Sequence, residues 1–486
     1  MAKKAHRDTK FTTQVKVILN KLYGRSPLKD SLVEHAIAFF EKQPANKERL
    51  DKYKENIEKL IAKGGDNSKA IQRLEREQHE LKQKYRHESN KRYKYFYEVC
   101  HEIFELSEGI SFDDTNRKSA QLLGTIQLIS PTEGKKVAEF NEKHKPLYKA
   151  ILTLRLFDQL FIERSLVLAN PYLKAYLPDI TPDEFKMFYS SSPEECKLFL
   201  DSIKLPVLMA ALLQDIGNYH PDAQKILVGE EGRLDQYRTL LVDDRKALLQ
   251  INYRETMNFL IDGIGAPVYV GNSKTERDTF NVKEHQKLVF IKQLIKGAIA
   301  PRSGIGNVLK VPQIYASIIL STKSSYNYKV LPKVYKALNQ NAEHGSCCQT
   351  VVDAMLTITG DFPQGYGITY IPYDDTGDKS DRYEYAIVTH LYPENSQHPL
   401  CRTATRHLKF IAYGQDVTIH EDNNLYNINV AKQFATLSKE RLNEILALLA
   451  SNYGDRKDLD LLPRFWHAND FFSVTDHQRL WNKSSH

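Results

Sequence analysis

The sequence predicts a mainly α chain, with a helical hairpin near its start and a small antiparallel β subdomain near its C-terminus. Three observations predict this. Apolar residues recur at three- and four-residue spacing through most of residues 11–345. Two such stripes are separated by Lys63-Gly64-Gly65-Asp66-Asn67-Ser68, a strong turn signal. After about residue 360 the period becomes two, and β-branched and aromatic residues take over.

In order along the chain, residues 11–42 read as helical with a break at Tyr23-Gly24-Arg25-Ser26-Pro27. Leu32, Ala36, Phe39 and Phe40 share one face, and Pro44 is expected to end the element. Residues 46–63 and 69–93 form the hairpin. Leu50, Tyr53, Ile57 and Leu60 step by 3, 4, 3, and Ile71, Leu74, Gln78, Leu81 and Tyr85 step by 3, 4, 3, 4. Two short heptad-like stripes joined by a Gly-rich turn predict antiparallel packing within one chain. Helices follow at Tyr95–Leu106 and around 117–130, and residues 146–215 are mainly helical, punctuated by Pro171, Pro178 and Pro182. Residues 216–345 continue as helices with loops at Gly229-Glu230-Glu231-Gly232, Gly263-Ile264-Gly265 and Gly304-Ile305-Gly306. The strand-like runs are 365–373, Glu384–Tyr392, His407–Tyr413 and Asp416–His420. A last helix is expected over 429–452, and Leu461, Leu462, Phe465, Trp466, Phe471, Phe472 and Trp481 are expected to pack back onto the body. The regions are therefore 1–145 (with the hairpin at 46–93), a helical domain 146–358, the β subdomain 359–428 and a C-terminal helix and tail 429–486.

Composition bounds the class. The chain has 486 residues, 41% hydrophobic and 27% charged, which is ordinary for a soluble globular protein of two or three domains. No run approaches the roughly 18–20 apolar residues of a membrane span, and the basic start is not followed by the apolar run of a secretory signal. Five cysteines, an odd and small number, fit a reducing cytoplasm. Charge is uneven. Residues 1–100 hold 24 Lys+Arg and 14 Asp+Glu, a net of +10, so the other 386 residues carry 7 − 10 = −3. A basic N-terminal region suits a protein partner or nucleic acid; the plainer reading is a solvated helix surface, since Lys and Arg alternate with Glu.

The motif with most chemical content is Gln214-Asp215-Ile216-Gly217-Asn218, reached directly from the apolar run 206–213. It resembles the His-Asp-Ile-Gly-Lys element of HD-domain phosphohydrolases, most closely the HD-GYP branch that hydrolyses cyclic di-GMP. Two further stretches carry the resemblance. Val311-Pro312-Gln313-Ile314-Tyr315-Ala316 is similar to the family's Asp-x-Tyr-x-Ala metal-ligand helix, and Gly360-Asp361-Phe362-Pro363-Gln364-Gly365 is similar to its Gly-x-Tyr/Phe-Pro-x-Gly turn. The resemblance runs over about 150–395 and implies a helical HD-like core at 146–358. It also implies where metal ligands would stand, and there the sequence departs from it. Gln214 stands for the His, Asn218 for the Lys, Asn252 for the next His and Gln313 for the Asp. Asp215 alone keeps its type. Amide oxygens are poor substitutes for imidazole on a transition metal, so no catalytic residue, metal or cofactor is assigned.

The remaining candidates each have a plainer reading. His220 is the imidazole nearest the signature, and equally an ordinary loop His before Pro221. Asp215 also suits capping of the turn that follows. His344-Gly345-Ser346-Cys347-Cys348 places thiols beside a His, but the cysteines open an apolar helix and read as packing groups. Arg402 and Arg406 match the Arg-x-x-x-Arg with which PilZ domains hold cyclic di-GMP phosphates, a short pattern without its companion motif. There is no P-loop, dinucleotide fingerprint, His-Glu-x-x-His or zinc spacing of cysteines. The expected function is a non-catalytic, HD-GYP-like regulatory or scaffolding protein in bacterial cyclic di-GMP-linked signalling. The alternatives are an active metal-dependent phosphodiesterase with non-standard ligands and a nucleic-acid-associated protein using the basic N-terminal region.

Overall fold

Helix periodicity and the late change to alternation produce a mainly α architecture with one small antiparallel sheet, in a computed structural model that describes residues 7–24, 30–64, 68–191, 193–374, 376–434 and 463–482. The helices of the first half are α1 (Lys10–Leu22), α2 (Leu32–Ala62), α3 (Ser68–Ser107), α4 (Phe112–Ile129), α5 (Val137–Ile162), α6 (Pro171–Tyr176), α7 (Pro182–Ser191), α8 (Pro193–Phe199), α9 (Leu205–Leu213) and α10 (Pro221–Val228). Then come α11 (Val242–Asn258), α12 (Lys274–Gly297), α13 (Asn307–Ile319), α14 (Val334–Glu343) and α15 (Gln349–Thr359). The strands are β1 (Gly367–Tyr370), β2 (Glu384–Val388), β3 (Leu400–Thr403), β4 (Thr405–Arg406), β5 (Lys409–Phe410) and β6 (Asp416–Thr418). They are followed by α16 (Ile428–Phe434), β7 (Phe465–Trp466) and α17 (Asn469–Phe472). The chain divides into two compact units, each assembled from separated stretches. One comprises Met1–Ile18, Phe104–Leu200 and Gly297–His486; the other comprises Leu19–Ile103 and Asp201–Lys296.

The first unit is organised by α5. Every residue from Leu147 to Leu160 is buried, so this helix is core on all sides and α4, α13 and α15 pack around it. Its buried charge is compensated within the core. Arg155, fully buried, pairs with Glu108 at 2.5 Å and with Asp158 at 3.0 Å. The sheet runs β6-β3-β2-β1-β7, antiparallel throughout, and β4 pairs with β5 beside it. The outermost strand beside β1 is supplied by the far C-terminal segment. Gly367 faces Trp466 there because a Cβ on Gly367 would stand 2.3 Å from the Trp466 carbonyl oxygen. Trp466, Phe471, Phe472 and Trp481 are buried in one apolar cluster with Tyr385 and Ile387, and the two indole N–H groups donate to the carbonyls of Ala386 and Thr389. The apolar tail thus packs onto this unit, as its composition predicts; Leu461 and Leu462 lie outside the described residues.

The second unit carries the hairpin. Ser31 caps α2 in a reciprocal capping box with Glu34. The two stripes face one another as half-buried residues, and the fully buried positions, Phe39, Phe40 and Phe96, lie at the base. The base is pinned by hydrogen bonds from Ser89 Oγ to the Ile264 carbonyl at 2.6 Å and from Arg92 Nε to the Gly263 carbonyl at 2.5 Å.

Several boundaries differ from those the sequence predicts. Pro44 does not end its helix: α2 continues through it to Ala62. A proline inside a helix costs about 3 kcal/mol, and α2 carries Pro44 at an exposed position. Tyr95–Leu106 is the end of a helix that begins at Ser68. In the sheet, Leu400–Thr403 is a strand, whereas only Lys409–Phe410 of the 407–413 run is, because His407 and Leu408 take positive φ (50° and 63°) to turn the chain. The helix expected over 429–452 is present as α16; residues 435–452 lie outside the described residues.

His144 generates a test of this packing. It is buried on α5, and its Nδ1 lies 2.7 Å from Ser130 Oγ, whose own hydroxyl hydrogen donates to the Ile126 carbonyl. The ring is therefore neutral with its proton on Nδ1. Burial pushes its pKa from 6.5 down to about 3, with Lys143 and Lys16 adding to the effect. The unfolded chain binds this proton at higher pH than the folded one, so stability is retained above pH 6.5 and lost as pH falls toward 3. Urea unfolding followed below pH 6.5 is expected to show the native chain losing up to roughly 1.4 kcal/mol per pH unit more than His144→Gln. Parallel losses in the two proteins would refute the assignment.

Candidate functional site

The region that resembles an HD signature is built from α9, a 3-10 turn and α11, all within the second unit. All nine residues of α9 are buried, which makes it a core helix rather than an amphipathic one. It ends at Gln214, and Ile216–Tyr219 form the turn before α10. That turn lies directly on α11. A Cβ at Gly217 would stand 2.1 Å from the Asn252 carbonyl oxygen, so glycine is required for the approach. Two hydrogen bonds close the contact and a third, within α11, braces it. Asn252 Nδ2 donates to the Gln214 carbonyl (3.2 Å), the Gly217 N–H donates to Thr256 Oγ1 (3.1 Å), and Thr256 Oγ1 donates to Asn252 Oδ1 (3.4 Å).

The individual side chains fall as follows. Gln214 is buried, and its Oε1 has no hydrogen-bond partner among the described residues. Asp215 is half-buried at the capping position of the turn, but its side chain makes no capping hydrogen bond; its backbone carbonyl accepts from the Asn218 N–H. The Asn218 carbonyl accepts from Gln224 Nε2 at 2.7 Å. His220 caps α10: its Nδ1 accepts from the Asp222 N–H at 3.1 Å, which leaves the proton of the neutral ring on Nε2, 3.9 Å from Glu255 Oε2. Its ring packs on Phe40 with centroids 5.3 Å apart. Arg238 donates to the Ile226 and Leu227 carbonyls and so satisfies the last turn of α10.

Glu255 and Thr256 are the buried polar residues that sequence reasoning missed. Glu255 accepts from Arg254 Nε at 2.5 Å and from Asn258 Nδ2 at 2.8 Å. Their signal was available: Asn252, Glu255 and Thr256 are three and four residues apart, on one face of a helix.

Gln214, Asp215, Asn218, His220 and Asn252 thus share the second unit, and Gln313 belongs to the first, half-buried on α13 beside the buried Tyr315 and Ala316. Arg402 and Arg406 are also in the first unit. Arg402 lies on β3, buried, with Nε 2.8 Å from Asp416 Oδ1 on β6 and Nη1 donating to the Gly414 carbonyl. Arg406 is exposed on β4. Cys347 is buried and its thiol is pushed up by desolvation, the opposite of an activated nucleophile.

The donor set does not fit a catalytic metal. Three of the positions concerned, Gln214, Asn252 and Gln313, are amides, Asn252 has both side-chain ends engaged, and among the described residues no three His, Cys, Asp or Glu side chains gather as a ligand group. An apolar cavity lined by Leu205, Met209, Leu213, Leu260 and Ile264 lies in the same unit, and none of the signature positions lines it.

The contact predicts two costs. Gly217→Ala forces the turn off α11 and is expected to destabilise by about 3 kcal/mol or more, at the upper end for overpacking. Thr256→Val removes the acceptor of a buried N–H and is expected to cost about 1–3 kcal/mol. Denaturant unfolding measures both; a neutral Gly217→Ala would mean the close approach is absent in solution.

Comparison of the chain with protein-family models, with curated proteins and with solved structures gives no match in any of the three.

Proposed function

We propose that this chain is a non-catalytic, HD-GYP-like regulatory or scaffolding protein of the bacterial cytoplasm, acting in cyclic di-GMP-linked signalling. The observation that carries the reading is the hydrogen-bonded contact between the signature turn and α11. Asn252 stands where the resemblance places a metal-ligating His, and its amide is engaged with the Gln214 carbonyl and Thr256. Phosphodiester hydrolysis in an HD site needs metal ions to neutralise phosphate oxygens and supply hydroxide. Here the Asn252 and Thr256 side chains hold the backbone of the turn against α11 instead. Such an arrangement keeps the shape of the region while giving up its chemistry, which suits a module that acts by being bound. The cyclic di-GMP connection rests on the sequence resemblance alone. No helix among the described residues is long and apolar enough to cross a membrane.

The purified protein, supplied in turn with manganese, iron and zinc, is expected to leave cyclic di-GMP intact. Gln214→His is expected to leave it intact as well, since one imidazole does not rebuild a ligand set lacking several members. Metal-dependent turnover by the native chain, abolished by Asp215→Asn, would overturn the proposal.

A further inference from the structure

The two-stranded ribbon of β4 and β5 carries an arrangement that folding alone does not explain. Arg406 and Lys409 stand directly opposite one another across it, and both are exposed. Directly opposed side chains share one face with Cβ atoms about 4.5–5.5 Å apart, where like charges are destabilising. The turn between them is His407-Leu408. Both residues take positive φ, a conformation that two-residue hairpin loops usually give to Asn and Gly. The turn is nonetheless held firmly. The Leu408 side chain is buried in the apolar cluster, and its N–H donates to the Glu384 carboxylate, 3.3 Å from Oε2. The two cations are therefore presented side by side on a fixed scaffold.

Counter-ions are plentiful in this region and are placed elsewhere. Residues 359–428 hold 5 Lys+Arg and 10 Asp+Glu, a net of 5 − 10 = −5. Lys379 pairs with Asp422 at 3.4 Å, Arg382 with Glu384 at 3.8 Å and Arg402 with Asp416 at 2.8 Å. The remaining cations, Arg406 and Lys409, make no ion pair among the described residues, and residues 399–415 contain no acid. Glu384, the acid that touches the turn, is buried and already engaged by Arg382 and the Leu408 N–H.

We propose that Arg406 and Lys409 hold the phosphate group of a small phosphorylated ligand. A guanidinium offers a planar fork to two phosphate oxygens, and an ammonium beside it offers a point charge to a third. Two adjacent positive charges match a dianionic phosphate better than a singly charged carboxylate. The net of −5 around the pair disfavours an extended polyanion, whether nucleic acid or an anionic membrane, while a compact dianion touches the cationic spot alone. The site is not the Arg-x-x-x-Arg pair, since Arg402 is buried against Asp416, and it does not depend on the HD-GYP reading.

The test is a phosphorus NMR titration of the full chain with phenyl phosphate and with pyrophosphate at about pH 7, where both carry more than one negative charge. Benzoate is the carboxylate competitor. The native chain is expected to broaden both phosphorus signals saturably. Arg406→Gln and Lys409→Gln are each expected to weaken binding about tenfold, and the double variant to abolish it. Lys135→Gln/Lys136→Gln removes two exposed cations from another place and is expected to bind as the native chain does. Lys409→Glu sets an opposite charge across from Arg406, so it is expected to lose binding while melting no lower than the native chain. The proposal is overturned if the native chain binds neither probe, if the double variant keeps binding, if the Lys135/Lys136 control loses as much, or if Lys409→Glu melts well below the native chain. It is also overturned if benzoate competes as well as phenyl phosphate, or if oligothymidylate of equal phosphate content competes better than either probe. A preference for phenyl phosphate or for pyrophosphate supports it and identifies the kind of phosphate.

Discussion

The second unit depends on one close approach, the backbone of Gly217 against the backbone of α11. The turn can lie there only because position 217 has no Cβ, and it is held there by an N–H donated to Thr256 Oγ1. Once it is placed, Gln214 is drawn under Asn252, His220 is set to cap α10, and the Nε2 of His220 faces Glu255. Gly217, His220 and Asn252 therefore each have a structural use at this corner. Gln214 Oε1 is a buried acceptor without a partner among the described residues, at a cost of about 1–3 kcal/mol.

The first unit shows the same principle with charges. A helix buried along fourteen consecutive residues has no solvent face on which to place Arg155, so the guanidinium is compensated by Glu108 and Asp158. Losing one partner of such a group leaves a charge buried and costs more than the pair itself contributes. The sheet meets a comparable demand through Arg402, which spans β3 and β6 to reach Asp416. In each unit one polar residue that attracts a functional reading, Asn252 in one and Arg402 in the other, is engaged in holding separate segments together.

Much of the architecture was legible because it rests on local periodicity. The hairpin, the mainly helical body, the late strands and the return of the aromatic tail follow from spacing and turn residues. The departures have non-local causes. Pro44 reads as a helix end by residue type, yet α2 runs through it. Leu400–Thr403 is too short to show alternation, and Arg402 within it drew attention as a phosphate contact rather than as an inter-strand pair. The division into two units joins residues 19–103 to 201–296 across a long separation, which no reading of consecutive segments expresses. At the candidate site the amides at 214 and 252 were visible as residue types, but the bonds that engage Asn252 and Thr256 were not.

The most direct measurement of the account is amide hydrogen exchange over residues 214–220 of the full chain, with and without added manganese, iron or zinc. If the turn is held by Thr256 and Asn252, Gly217 is protected in metal-free protein, protection falls in Thr256→Val, and added metal changes neither. Protection that appears only when metal is supplied would contradict the account, because the turn would then be organised by an ion and not by α11.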